Sequence, residues 1–259
     1  MAAVLTEAAL EFCDLSLGYD TAPAVHQFNG TVKRGAMTAV VGPNGSGKTT
    51  LMKGIIGALK PLSGTITISG TNRKDIAYLP QQAEIDRSFP ISVFDLVSLG
   101  LWRRIGAFSS LRGGERATVE AALAAVGLAG FETRMIGALS GGQLQRVLFA
   151  RVLVQDSALI LLDEPFAAID RKTTLDLMKL LNRWHGEGRT VLAVMHDIDL
   201  VREEFPEAIL IAREPIAWGA THEALSAANM LKARAISEKW DDRVGCCYGA
   251  NREVRPHGV

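Results

Sequence analysis

Gly42-Pro43-Asn44-Gly45-Ser46-Gly47-Lys48-Thr49 decides how this chain is read. It fits G-x-x-x-x-G-K-[ST], the phosphate-binding P-loop pattern. The run before it, Ala36 to Val41, is short, apolar and β-prone, as expected for a buried strand. After it, Leu51, Ile55, Ile56 and Leu59 recur at helical spacing until Pro61. The pattern therefore sits between a strand and a helix, where its mechanism requires it. Glycines let the backbone bend closely around phosphates with N–H groups turned inward. The following helix aims its positive end at the same place. Lys48 is expected to reach the β- and γ-phosphates, and the Thr49 hydroxyl to ligate Mg²⁺.

At 259 residues the chain can bury a sizeable core, as one α/β domain or a core with a subdomain. Lys plus Arg and Asp plus Glu number 28 each, so no basic surplus points to nucleic acid. No apolar run approaches the roughly 18–20 residues of a membrane span. Met1 to Phe12 carries Glu7 and Glu11 and lacks the basic start of a secretion signal. Cys13, Cys246 and Cys247 give no disulfide framework. A cytosolic chain is expected, acting at a membrane only through separate partners.

Along the chain, Leu10 to Tyr19 reads as a strand ending at Gly18-Tyr19-Asp20, and Gly30 to Lys33 as a second. Tyr19 is a packing residue or a platform for a nucleotide base. Thr65-Ile66-Thr67-Ile68 alternates between Gly64 and Gly70, as an antiparallel, half-buried strand would. Asp75 to Leu79 is another short strand, stopped by Pro80. Gln81 and Gln82 follow at its carboxyl end, either as polar loop residues or as ligand contacts. From about 83 to 154 the pattern turns helical. Ser92-Val93-Phe94-Asp95 forms a capping box, with Ile91 and Leu96 as its hydrophobic staple. An Ala-rich helix is expected from Glu115 to Val126, and a Gly/Arg/Ser-rich surface loop over Arg103 to Gly114. This block interrupts strand–helix alternation, so it reads as a helical subdomain inserted into the core.

Leu139-Ser140-Gly141-Gly142-Gln143 opens a further helix, with Ser140 as its cap. It is an ordinary capped helix or, with two glycines exposing N–H groups, a second anion site. Leu159 to Leu162 is a strand buried on both faces, followed by Asp163 and Glu164. In P-loop NTPases such an Asp supports Mg²⁺. The neighbouring Glu can polarise an attacking water. Asp170 precedes a helix from Thr173 to Trp184. Thr190 to Met195 is another buried strand, and His196 at its end reads as a phosphate contact or a structural histidine. Ala208 to Ala212 and Ile216 to Trp218 suggest a hairpin, then a helix through Ala235. The expected domain spans 1–235, with 236–259 a mobile tail of weak periodicity. Cys246, Cys247 and His257 match no zinc-ligand spacing.

In this order the motifs resemble the ATPase subunit of ABC (ATP-binding cassette) transporters over roughly Leu10 to Gly219. The resemblance implies an α/β P-loop NTPase core with an antiparallel β subdomain and an inserted helical subdomain. It implies ATP and Mg as cofactors. Nucleotide would be bound by Tyr19, as the adenine-stacking aromatic, and by Gly42, Pro43, Asn44, Gly45, Ser46, Gly47, Lys48, Thr49 and Thr50. Thr49, Gln81 and Asp163 would hold Mg. Glu164 would be the catalytic base, His196 the γ-phosphate switch, and Gln81 the relay to a membrane partner. Leu139, Ser140, Gly141, Gly142 and Gln143 match the LSGGQ signature, which acts on the partner subunit's ATP. Asp170 belongs to the D-loop, where Phe166-Ala167-Ala168-Ile169-Asp170 departs mildly from the commoner S-A-L-D. A head-to-tail homodimer is implied on the cytoplasmic face of the membrane, as a peripheral subunit. It would work with an integral-membrane permease, indirectly with an extracytoplasmic solute-binding protein, and without nucleic acid.

Tyr78-Leu79-Pro80-Gln81 followed by Phe89-Pro90-Ile91-Ser92-Val93 looks like the importers of manganese, zinc and iron chelates, zinc foremost. The surface around Gln81 to Phe94 would then receive the permease. Siderophore-iron or cobalamin import is the nearest alternative. A soluble ABC switch without a permease is another, although no coiled-coil insertion or second cassette is present. Intact Lys48, Asp163, Glu164 and His196 speak against a degenerate nucleotide binder.

Overall fold

A computed structural model describes residues 8–19, 22–106, 113–167 and 169–248. Asp20, residues 107–112 of the expected surface loop, Ala168 of the D-loop and His257 of the tail lie outside the described residues. In chain order the strands are β1 (Ala8–Tyr19), β2 (Ala22–Lys33), β3 (Met37–Val41), β4 (Ser63–Ile68), β5 (Ala77–Leu79), β6 (Leu159–Asp163), β7 (Thr190–Val194), β8 (Glu207–Ala212) and β9 (Glu214–Ala220). The helices are α1 (Lys48–Ile56), α2 (Val93–Ser98), α3 (Trp102–Ile105), α4 (Gly113–Ala125), α5 (Gly141–Gln155), α6 (Arg171–Gly186), α7 (Ile198–Glu204), α8 (Thr221–Ala224) and α9 (Ala227–Tyr248).

Two sheets result. One is antiparallel, in the order β2-β1-β4; the other runs β5-β6-β7-β3-β8-β9, parallel except for β9. The larger sheet explains its own composition. Leu159 and Leu161 of β6 face a cluster shared with α1 and the antiparallel sheet, including Leu10, Phe28 and Leu51. Ile160 and Leu162 face the opposite cluster, with Val147, Leu148 and Leu181 of α5 and α6. A strand covered on both sides has no polar face to show, hence the unbroken apolar runs. Between β5 and β6 the chain leaves the sheet to form α2, α3, α4 and α5.

Several boundaries differ from the sequence reading. Strand β2 starts at Ala22, well before Gly30, because it pairs along nearly all of β1, from Tyr19↔Ala22 to Ala8↔Lys33. Irregular register and the left-handed Gln27 (φ 47°) break the alternation that would announce it. Helix α7 has no counterpart among the expected elements; Asp197 caps it, its carboxylate accepting from the Asp199 and Leu200 N–H groups. Helix α9 runs past Ala235 to Tyr248, so the backbone of Cys246 and Cys247 is helical. Among the described residues no helix is long and apolar enough to cross a membrane.

Candidate functional site

Strands β3, β5, β6 and β7 are parallel neighbours in one sheet, so their carboxyl ends lie along one edge. That edge is where open α/β sheets bind ligands. Each of the four ends releases a residue already singled out: the P-loop after β3, Gln81 after β5, Asp163 and Glu164 at β6, and His196 after β7. The fold therefore gathers groups that are far apart in sequence.

The P-loop wraps the amino end of α1. Gly47 takes a left-handed conformation (φ 96°) as the helix cap, and a Cβ there would sit 2.5 Å from the Ala24 carbonyl oxygen. Only glycine fits that position. Lys48 is buried, and its ammonium donates to the carbonyls of Gly42 at 2.9 Å and Pro43 at 2.8 Å. Burial lowers its pKa, against the opposing pull of Glu164 and Asp163. A cleft of about 290 Å³ is lined by Ala24, the loop from Asn44 to Thr50, Gln81 and Glu164.

Around this cleft the polar groups form a chain. Thr49 Oγ1 donates to Asp163 Oδ1 at 3.3 Å and accepts from Gln81 Nε2 at 3.3 Å. Gln81 Nε2 also donates to Glu164 Oε1 at 2.6 Å. His196 Nε2 lies 2.6 Å from the same oxygen. Glu164 sits in a left-handed turn (φ 51°) whose N–H donates to the Val194 carbonyl, which swings its side chain off the end of β6. Asp163 is fully buried, and burial pushes its carboxyl up to about 6, with the Thr49 hydroxyl pulling the other way.

A divalent ion can be tested against this arrangement. Asp163 Oδ2 is buried and has no hydrogen-bond partner. A buried acceptor in that condition is costly unless something else satisfies it. Asp163 offers a carboxylate oxygen and Thr49 a hydroxyl, oxygen ligands of the kind a hard cation such as Mg²⁺ takes, with the Gln81 amide beside them. The residues fit the ion.

Other expected site residues lie elsewhere. Ser140 caps α5, its Oγ accepting from Gln143 N at 3.2 Å while Gln143 Oε1 accepts from Ser140 N at 3.0 Å. Neither Leu139, Ser140, Gly141, Gly142 nor Gln143 lines the P-loop cleft. Asp170 caps α6, accepting from Thr173 N at 2.9 Å and Thr173 Oγ1 at 2.7 Å, bonds that hold its carboxyl below the usual range. Tyr19 is more than half exposed at the end of β1, also outside the cleft lining. On the far side of Glu164 and His196, a hollow of about 790 Å³ runs between the D-loop and α7.

Tyr78 and Gln82 also bear on the site, through contacts the sequence does not announce. Tyr78 places its hydroxyl beside Asp163, and burial raises its pKa. Gln82, adjacent to Gln81, donates to the Gly141 carbonyl at 2.6 Å. No local pattern signals either contact, since each partner lies far along the chain.

Residues 25–167 match the family described as ABC transporter. The manganese transport system ATP-binding protein MntB of Listeria monocytogenes is 38% identical over 221 residues, covering 84% of this chain and 92% of the relative. The zinc transport system ATP-binding protein TroB of Treponema pallidum is 38% identical over 225 residues, covering 85% of each. Among solved structures, a dimeric ATP-binding cassette in a post-hydrolysis state, bound to ADP and Pi, superposes with a TM-score of 0.73. It is 26% identical, and the match covers 82% of this chain and 98% of the other.

Proposed function

This chain belongs to the ABC transporter family, and on that premise we propose that it is the ATP-hydrolysing subunit powering import of a transition-metal ion, zinc or manganese, through a separate membrane permease. The observation that carries the reading is the convergence of Lys48, Thr49, Gln81, Asp163, Glu164 and His196 at one sheet edge. Relatives named for manganese and for zinc transport supply the cargo.

In this reading the P-loop amides and Lys48 bind the phosphates, and Tyr19 stacks on adenine. Lys48 exchanges its two carbonyl partners for phosphate oxygens. Thr49, Gln81 and Asp163 would hold Mg²⁺, which would supply positive charge to offset that of the phosphates. Glu164 orients and deprotonates the attacking water. His196 contacts the γ-phosphate and, through Glu164 Oε1, links that phosphate to the base. The amino end of α5, with Ser140, Gly141 and Gly142, covers the ATP of a second copy. Two such sites close a head-to-tail dimer, and loss of the γ-phosphate reopens it. Asp170 lies at the junction between the two copies.

The subunit would sit on the cytoplasmic face of the membrane against its permease, with a solute-binding protein delivering the ion outside. Co-purification of the permease, followed by uptake into vesicles reconstituted with both proteins, tests this. ATP-dependent accumulation of Zn²⁺ or Mn²⁺ is expected. Accumulation of an iron–siderophore complex or cobalamin instead would replace the cargo, and ATPase activity indifferent to any permease would overturn the transport role.

A further inference from the structure

The loop after β5 holds two glutamines in a row that reach in different directions. Gln81 turns to its own subunit's base, donating to Glu164 Oε1 at 2.6 Å. Gln82 turns the other way and donates to the Gly141 carbonyl at 2.6 Å. Five residues on, the Arg87 guanidinium donates to the Leu139 carbonyl. Leu139 and Gly141 flank Ser140, so the carbonyl on either side of that cap is held from the same loop. Glu84, between them, pairs with Lys53 of α1 at 2.6 Å. The loop also carries Phe89, an exposed aromatic, and its continuation is stitched to the lead-in of α5 by backbone bonds such as Ile136 N to Ile91 O and Val93 N to Arg134 O.

We propose that Gln82, assisted by Arg87, is a positioning residue through which this loop sets the amino end of α5 over the partner subunit's ATP. The inference rests on the shared-site reading above and deepens it. A helix end binds an anion only if its free N–H groups are aimed at it. The Ser140–Gln143 capping box shapes that end but does not fix where it points, because both of its bonds are local to that end. Gln82 and Arg87 add anchors from this loop at the cap itself, one turn before Gln145, which donates to the Pro165 carbonyl at 2.7 Å. With Gln81 on one site and Gln82 on the other, a movement of the loop reaches both ATP sites of a dimer together.

The experiment uses the full chain carrying Glu164→Gln, in which ATP is expected to hold the dimer. Gln82→Met keeps the side-chain length and removes the donor; Gln82→Arg keeps a donor. ATP-driven dimerisation is measured by analytical ultracentrifugation, and nucleotide affinity of the dilute monomer by fluorescence. The dimer loses one hydrogen bond at each of its two sites, which predicts that Gln82→Met needs about ten- to hundredfold more protein to dimerise at saturating ATP. Monomer affinity should stay within about twofold, and Gln82→Arg should restore dimerisation. Arg87→Met tests the second anchor and should shift dimerisation the same way, should Gln82→Met fold poorly. Unchanged dimerisation in both donor-less variants, an Arg variant as weak as Met, or an equal fall in monomer affinity would overturn the proposal. If the Glu164→Gln parent itself stays monomeric at saturating ATP, the shared-site reading falls, and this inference with it.

Discussion

Gln81 and Glu164 are 83 residues apart in the chain and joined by a 2.6 Å hydrogen bond. The glutamine follows the edge strand β5, and the glutamate follows its neighbour β6. That bond lands on the oxygen that His196 also faces, so one carboxylate oxygen collects signals from both sides. A carboxylate held this way is oriented but not free to move. Its position depends on Gln81 and His196 together.

Replacing Glu164 by Gln should therefore remove the proton acceptor while preserving the shape of the cluster. Hydrolysis is expected to fall by about 10²–10⁴-fold, the usual contribution of a general base, with ATP binding retained and a dimer trapped. Phosphate release and size-exclusion chromatography in ATP check both halves. Normal turnover in this variant would remove Glu164 from the role of base.

Lys48 presents a different case. Its ammonium rests on two P-loop carbonyls, in a site where burial already disfavours the charge. Phosphate oxygens are the better acceptors, since they carry negative charge that attracts the ammonium directly, whereas carbonyls are neutral. Lys48→Ala should lower ATP affinity by about 10- to 100-fold, corresponding to roughly 1.5–3 kcal/mol for a hydrogen bond to a charged group. Titration calorimetry reads this directly, and undiminished affinity would contradict the P-loop assignment.

Much of this site is legible in the amino-acid sequence because strand-end residues advertise themselves. A buried strand reads as an apolar run, and a polar residue soon after it must lie near the sheet edge; Lys48, Gln81, Asp163 and His196 all follow that rule. Gln82 follows it as well, but what Gln82 and Arg87 bind is not legible, since their acceptors are main-chain carbonyls 59 and 52 residues away, and carbonyls leave no trace in a sequence. Tyr78 is hidden for another reason. Within a three-residue strand its ring reads as core, and only the packed sheet shows its hydroxyl beside Asp163. Strand β2 reads short because its bulged register has no clean alternation.

Asp163 ties stability to function. Its carboxyl is fully buried, one oxygen has no partner, and its pKa stands near 6 against an ordinary 3.8. The folded protein thus holds this proton more tightly than the unfolded chain. Between about pH 4 and 6, therefore, the native state loses stability as pH rises. Asp163→Asn removes that loss. In metal- and nucleotide-free protein the variant should be more stable above pH 6 by roughly 1–3 kcal/mol, and equal to the parent below about pH 4. Mg²⁺-dependent hydrolysis should fall sharply at every pH. Thermal melts from about pH 3.5 to 8 test the sign; a variant less stable than the parent at the alkaline end would contradict a buried, uncompensated carboxylate.

Phe89 tests the surface rather than the chemistry. It is 61% exposed, on the loop that begins at Gln81. Trp102 and Met135 are also large, apolar and about half exposed. Exposed aromatics are the usual anchors of protein interfaces, where truncating one costs about 2 kcal/mol or more, roughly thirtyfold in affinity. If a permease helix docks there, Phe89→Asp should place an unpaired charge at the centre of the contact. Uptake by reconstituted vesicles should then drop by at least about tenfold. ATP affinity of the isolated subunit should not change, because Phe89 does not line the P-loop cleft. Transport at the parental rate would mean that the permease sits elsewhere, and Gln81 would then need another route by which to sense it.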